Sequence, residues 1–272
     1  MDRYEELVRK RDSAGLNAEE AAELGRLTAE RRETPYADAS HPPPPAPTTP
    51  YRPIRGFGTA LVWLLGAAAA LDLIAALSDL AEIRLLDRAR AGLPITFEEA
   101  TANDARQGAI GLLQLLIFLA TGVVFIVWLH RAYSNLPALG ATRLRFGKGW
   151  AIGGWMVPIW NLFRPKQIVN DAWRGSDPAL PASYEVTWTE RPVPAWWQVW
   201  WLPFLVSGYL GVASFRVGMD TLQELRLGSL LWFWSDLLSG GAGIVGVFIV
   251  RAITARQEER ARQILSIPAP PR

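Results

Sequence analysis

Residues Gly108–Leu129 read GAIGLLQLLIFLATGVVFIVWL, 22 positions without one charged side chain. At 1.5 Å of rise per residue, a helix over this run is ~33 Å long and matches a ~30 Å hydrocarbon layer. Just upstream, Thr96-Phe97-Glu98-Glu99 has the spacing of a capping box, so the helix is expected to begin well before the lipid. Three more stretches have the same length and character. They run from Phe57 to about Leu77 or Leu80, from Trp196 to about Phe215, and from Ser229 to Val250. With their helical ends, the spans fall at about 57–80, 108–132, 196–217 and 229–253. The expected fold is therefore all-α: an integral membrane bundle of four transmembrane helices.

Composition agrees with that class. Half of the chain is hydrophobic (50%), and it carries 13 Trp in 272 residues. Trp in such number, beside long uncharged runs, suits repeated contact with lipid headgroups. The absence of Cys excludes a disulfide framework, a thiolate metal site and a cysteine nucleophile. Two histidines, His41 and His130, are too few for a His-rich metal centre. The formal net charge of +2 gives no argument for nucleic acid. No Ser-His-Asp set is visible, because the one His near the bundle, His130, ends the second span as an interface anchor. No glycine-rich nucleotide loop follows a strand. We expect neither an enzyme nor a cofactor nor a metal.

The N-terminal part has a different character. Residues 1–33 are dense in charge and predict a soluble helical hairpin, with helices at about 3–13 and 18–32. Asn17 is the expected N-cap of the second helix, with Glu19 and Glu20 favourable in its first turn. Residues 34–53, TPYADASHPPPPAPTTPYRP, form a proline-rich linker of semi-extended polyproline II character. No apolar run follows the N-terminal charges, so no signal peptide is expected. The membrane domain then covers 54–255, and 256–272 form a tail.

Charge asymmetry orients the bundle. Segments 1–56, 130–195 and 251–272 hold 22 Lys and Arg, against 6 in 81–107 and 216–228. The excess marks the cytoplasmic side. Both termini and the long 130–195 loop are expected there, in a plasma membrane.

That loop holds the first candidate site. Gly149–Phe163 is apolar but too short to span, and Pro158 interrupts it, which predicts an interfacial or re-entrant segment within 149–176. An amphipathic helix is expected from Pro165 to Arg174, with Ile168, Val169, Ala172 and Trp173 on its apolar side. The candidate docking or structural residues are Trp150, Trp155, Pro158, Asn161, Arg164, Pro165, Asp171, Trp173 and Arg174. Two readings compete here. One is a collar that locks helix ends against the membrane; the other is a site for anionic headgroups or a protein partner. Arg164, between Pro158 and Pro165, is expected to clamp free carbonyls or the Asp171 carboxylate.

The run FIVWLHRAYSNLPAL and its continuation GWAIGGWMVPIWNLFRPKQIVNDAWRGSDP resemble the bacterial membrane family known as domain of unknown function 4328. The pattern rests on Gly149, Trp150, Trp155, Val157, Pro158, Ile159, Asn161, Leu162, Arg164, Pro165, Trp173, Arg174 and Ser176. The resemblance covers about 57–255 and implies four membrane helices without an assigned activity. The hairpin and the linker lie outside it.

The second candidate site is intramembrane. Asp72, Gln114 and Asp236 fall inside expected spans, where ionisable groups cost ~2.5–3.5 kcal/mol on insertion scales. Asp72 and Asp236 sit at a similar depth near the external end, with Asp79 one step further out. They could share a proton or bind a cation, or lie on different faces at a wet rim. Ser235, Ser239 and Gly243 on the fourth span, and Gly66 and Ala70 on the first, predict close helix packing within one bundle and leave homo-oligomerisation open. The leading functional expectation is a non-enzymatic membrane protein that docks lipid or a protein through the Trp/Arg loop or residues 1–33. The alternative is a small transporter or channel component using Asp72 and Asp236.

Overall fold

A computed structural model describes residues 3–13, 15–33, 50–141, 143–180 and 188–265. Every element is helical, and no strand occurs among the described residues. The chain divides into two units, Met1–Pro45 and Ala46–Arg272. Most of the linker (34–49, with His41) and the last residues of the tail (266–272) lie outside the described residues.

The first unit is a helical hairpin of α1 (Arg3–Ser13) and α2 (Ala18–Glu33). Asn17 caps α2 as expected: its Oδ1 accepts from the Glu20 amide at 2.9 Å, and Glu20 accepts the Asn17 amide in return at 3.1 Å. Arg3 pairs with Glu23 at 3.1 Å and Lys10 with Glu20 at 2.5 Å, tying the two helices.

The second unit begins with α3 (Arg55–Arg90) and α4 (Phe97–Ser134). Gly92, at φ +72°, ends α3 in the left-handed conformation that glycine adopts without strain, and Leu93 donates back to Arg88 at 3.0 Å. Four residues on, the capping box forms: the Glu99 amide donates to Thr96 Oγ1 at 3.1 Å, and Thr96 donates to Glu99 at 2.9 Å. Two short helices follow, α5 (Trp150–Met156) and α6 (Pro158–Asn161), then α7 (Arg164–Gly175). The chain closes with α8 (Trp201–Ser214) and α9 (Leu222–Leu265).

Three helices, α3, α4 and α9, are long and apolar enough to cross a membrane. The span expected over 196–217 takes a different form. Residues Ala195–Trp200 wind as a 3-10 turn, and only the 14 residues of α8 are α-helical. Pro203 explains the change, since it has no N–H to offer the carbonyl of Val199 and is tolerated only in a first helical turn. The α-helix consequently starts at Trp201.

The long helices form a row: α4 packs on α3, α3 on α9, and α9 on α8. Small residues make the α3–α9 contact close. A Cβ on Gly58 would stand 2.6 Å from Thr254 Oγ1, and Gly240 and Gly243 lie against Ala69. Ser235 instead faces α8, donating to Ser207 O at 3.0 Å. Gly66 meets nothing within 4 Å, so the notch expected there is unused by the described residues.

Burial is uneven along these helices. None of the most apolar window of α4 is buried, and only about a third of those of α3 and α9. The dense core lies at one end, where Trp128, Tyr133, Ile168, Val169, Trp197, Trp200, Ile249 and Ile253 meet. Such large apolar surface left uncovered needs an apolar surrounding.

Candidate functional site

The polar residues expected inside the spans come together. The Gln114 amide on α4 donates to Asp72 of α3 at 3.1 Å and to Asp236 of α9 at 3.0 Å. All three helices thus meet at one side chain. Ser239, one turn along α9, bonds Asp72. Asp79 joins the cluster from the next turns of α3: its Oδ1 accepts from Gln107 at 3.0 Å, and its carboxyl contacts that of Asp236. The three aspartates are each at most 9% exposed. Asp79 Oδ2 is buried and meets no amide, hydroxyl or cation.

From Asp79 a polar ladder continues to the helix ends. Gln107 also donates to Glu82 and accepts from Ser78 at 2.7 Å. Exposed Arg106 then bonds Ser78 at 2.8 Å and Asn103 at 2.6 Å. In the other direction the α3–α9 contact turns apolar, through Ala69, Leu65, Gly243 and Gly246. The cluster is therefore linked by side chains to one end of the row only.

Asp79 and Gln107 carry as much of this geometry as the three residues read from the sequence as candidates. The signal was spacing. Asp79 follows Asp72, and Gln114 follows Gln107, by seven residues each, which is two helical turns on one face.

The Trp/Arg segment forms a second site, built on α5–α7. Trp155 is a keystone, with ring centroids 5.5 Å from Phe125 of α4 and 6.1 and 6.2 Å from Trp201 and Phe204 of α8. Pro158 starts α6 and Asn161 ends it; Asn161 Oδ1 is buried without a partner. Trp201 Nε1 holds the following turn through Leu162 O at 2.9 Å. Pro165 is buried at the start of α7, whose inner face carries Ile168, Val169 and Ala172 as expected.

Arg164 departs from its expected role. Its guanidinium lies 4.0 Å from the Phe146 ring, 4.6 Å from Trp160 and 5.1 Å from Trp150, and it donates to Gln167 at 3.1 Å. It stacks in an aromatic cage rather than forking onto broken-helix carbonyls. Gly154 makes the room, because a Cβ there would stand 2.9 Å from Arg164 Cγ. The carboxylate expected for Arg164 is taken by others: Asp171, fully buried, receives Arg145 at 3.1 Å and lies 3.8 Å from Arg174. Burial pushes the Asp171 carboxyl up to about 6, against the pull of Arg145 and Arg174. Trp173 donates to Pro192 O at 3.2 Å and stacks under Arg256 at 3.6 Å, while Arg174 donates to Arg191 O at 2.8 Å.

The sequence profile of a family described as "Domain of unknown function (DUF4328)" matches residues 91–255, more than half of the chain. The chain belongs to that family. The match takes in α4 to α8 and most of α9 and leaves out the hairpin and α3, a later start than the residue 57 expected from the sequence. Gln107, Gln114 and Asp236 thus lie inside the DUF4328 match, whereas Asp72 and Asp79 lie outside it. No curated protein and no solved structure matches the chain.

Proposed function

We propose that this DUF4328 protein is a non-enzymatic, four-span plasma-membrane protein that works as a small proton-coupled transporter or channel component. Its working centre is the cluster of Asp72, Asp79 and Asp236. The observation that carries this reading is the single Gln114 amide donating to both Asp72 and Asp236.

Carboxylates so close in a low-dielectric layer repel one another, and taking up a proton relieves the repulsion. The carboxyls of Asp79 and Asp236 adjoin, and one carboxyl can donate to another only while it holds a proton. The amide N–H groups of Gln107 and Gln114 point into the cluster, where a metal cation would meet them unfavourably. Protons suit the site better. The ladder to Arg106 and Glu82 gives a route to the external side, and the apolar α3–α9 contact below Asp72 closes the cytoplasmic side.

The fourth span in this reading is α8 with the turn before it. Six 3-10 residues and 14 α-helical residues give ~33 Å together, enough for the hydrocarbon layer. The excess of Lys and Arg in 1–56, 130–195 and 251–272 supports an orientation with both termini in the cytoplasm. Docking, ranked first from the sequence, yields to the proton reading as the principal role because Gln114 joins what the sequence left apart.

The test is reconstitution of the full chain in vesicles loaded with a pH-sensitive dye, followed by an external acid pulse. Wild type should acidify the lumen faster than empty vesicles, and Asp236→Asn should abolish the difference. Equal rates for wild type and Asp236→Asn would end the proposal.

A further inference from the structure

The α5–α6 hairpin exposes a run of large apolar side chains: Met156 is 66% exposed, Ile159 73%, Phe163 56%, and Ile152, Val157 and Trp160 over 40% each. A surface in water does not carry such a cluster without a partner. Its backing fixes where that partner lies. Trp155, on the opposite side of the hairpin, packs on Phe125 of the long apolar helix α4 and on Phe204 of the shorter α8. Phe125 lies four residues, or ~6 Å, inside the lipid boundary expected at Leu129. This backing sets the exposed side chains at the level of acyl chains, as it does the apolar stretch of α4, none of which is buried. Basic residues stand only at the base of the hairpin: Arg143, Arg145 and Lys148 on the way in, Arg164 and Lys166 on the way out. Apolar tip and cationic base match the two layers of a lipid leaflet.

We propose that residues 150–163 form a re-entrant hairpin seated in the cytoplasmic leaflet, and that the caged Arg164 at its base binds the phosphate of an anionic phospholipid. The cage fits this task. Phe146, Trp150 and Trp160 hold the guanidinium flat, and Gln167 takes one Nη1 N–H and leaves the rest of the terminal fork without a bond to the described residues. Unused donors on a held fork suit a phosphate better than a mobile lysine does. The inference shares only the orientation of the bundle with the proton proposal. It does not depend on the carboxyl cluster.

The native chain has no Cys, so single labels report cleanly. Ile159→Cys and Arg143→Cys, each carrying an environment-sensitive fluorophore, are placed in vesicles bearing nitroxide-labelled acyl chains. The Ile159 label should be quenched by the nitroxide and shielded from aqueous iodide, with the Arg143 label showing the reverse. Iodide quenching at both positions would overturn the re-entrant hairpin. Lipid choice is read separately by native mass spectrometry from nanodiscs of phosphatidylcholine mixed equally with phosphatidylglycerol. Wild type should retain phosphatidylglycerol preferentially, Arg164→Ala should lose about fivefold of that preference, and Arg164→Lys should recover only part. Unchanged retention in Arg164→Ala, or displacement of the lipid by inorganic phosphate, would overturn the lipid site. Normal quenching of the Ile159 label in the Arg164 variants shows that they remain folded.

Discussion

Two of the places where the helices of the second unit bury polar side chains differ in kind. At the end that holds the dense apolar core the groups are complementary. Gln257, fully buried, donates to Ala132 O at 2.7 Å and accepts from Asn135 at 3.2 Å; Trp128 donates to Thr254 at 3.1 Å; and Arg260 donates to the carbonyls of Leu139 and Leu180. Donors meet acceptors, and no two like charges adjoin. Further along the same helices, three acids share two amides. The first set has the form of a fastening, since each partner lowers the cost of burying the other. The second has acceptors in excess, and nothing about stability calls for it. Buried polarity is thus informative by its balance rather than by its presence.

Four measurements would sharpen or break this contrast. The largest effect belongs to the fastening. Gln257→Leu orphans the Ala132 carbonyl, at about 1–3 kcal/mol for a buried group, and leaves the Asn135 amide only its bond to Arg52 O. Thermal unfolding in detergent should show a marked drop in midpoint, and an unchanged midpoint would remove the structural role given to this network.

Next comes Asp171, which stands between the two kinds, with cations beside it and burial against it. Its folded carboxyl is raised to about 6 from an ordinary 3.8. The folded state therefore binds a proton more tightly than the unfolded chain. Its contribution is fully present below the unfolded value and is lost as pH rises through about 6. The loss is of order 1–3 kcal/mol. Midpoints measured between acid and neutral pH should fall over this window, and Asp171→Asn should flatten the fall. A midpoint rising with pH across that window, and levelled by Asp171→Asn, contradicts the assignment.

For the acidic cluster the sign reverses. Asp236→Asn relieves repulsion and supplies an amide, so the variant should be as stable as wild type or stabilised by about 1 kcal/mol while losing proton uptake. Strong destabilisation would place Asp236 with the fastenings. The smallest effect is expected from removing residues 1–45, the first of the two units. Insertion and midpoint should change little, and a large loss would show that the hairpin supports the membrane unit.

The sequence made some of this readable and hid the rest for physical reasons. The apolar run at 108–129 and the Thr96–Glu99 box both announced α4, because span length and capping are local properties. The amphipathic α7 was readable for the same reason. At 196–217 hydropathy concealed the backbone, since Pro203 divides one apolar run into a 3-10 turn and a short helix. The meeting of Asp72 with Asp236 depends on the rotation of three helices, which no single stretch encodes. The seven-residue steps from Asp72 to Asp79 and from Gln107 to Gln114 did mark two polar faces that needed each other. Arg164 shows the opposite limit. Its flanking prolines suggested a rigid donor fork, but Phe146 and Trp150 reach it only after the α5–α6 hairpin has turned back.

The capped turn between α3 and α4 also bears on how the protein is made. Synthesis is vectorial, and α3 and α4 emerge joined by residues 91–96, long before α9 exists. Asp72 and Asp79 are therefore made well before Asp236. Gln107 and Gln114 bond them from across the helical hairpin, so α3 and α4 by themselves hold an amide for each of the two acids. The third acid comes from the far end of the chain, and α9 completes a site whose other members are neighbours in synthesis.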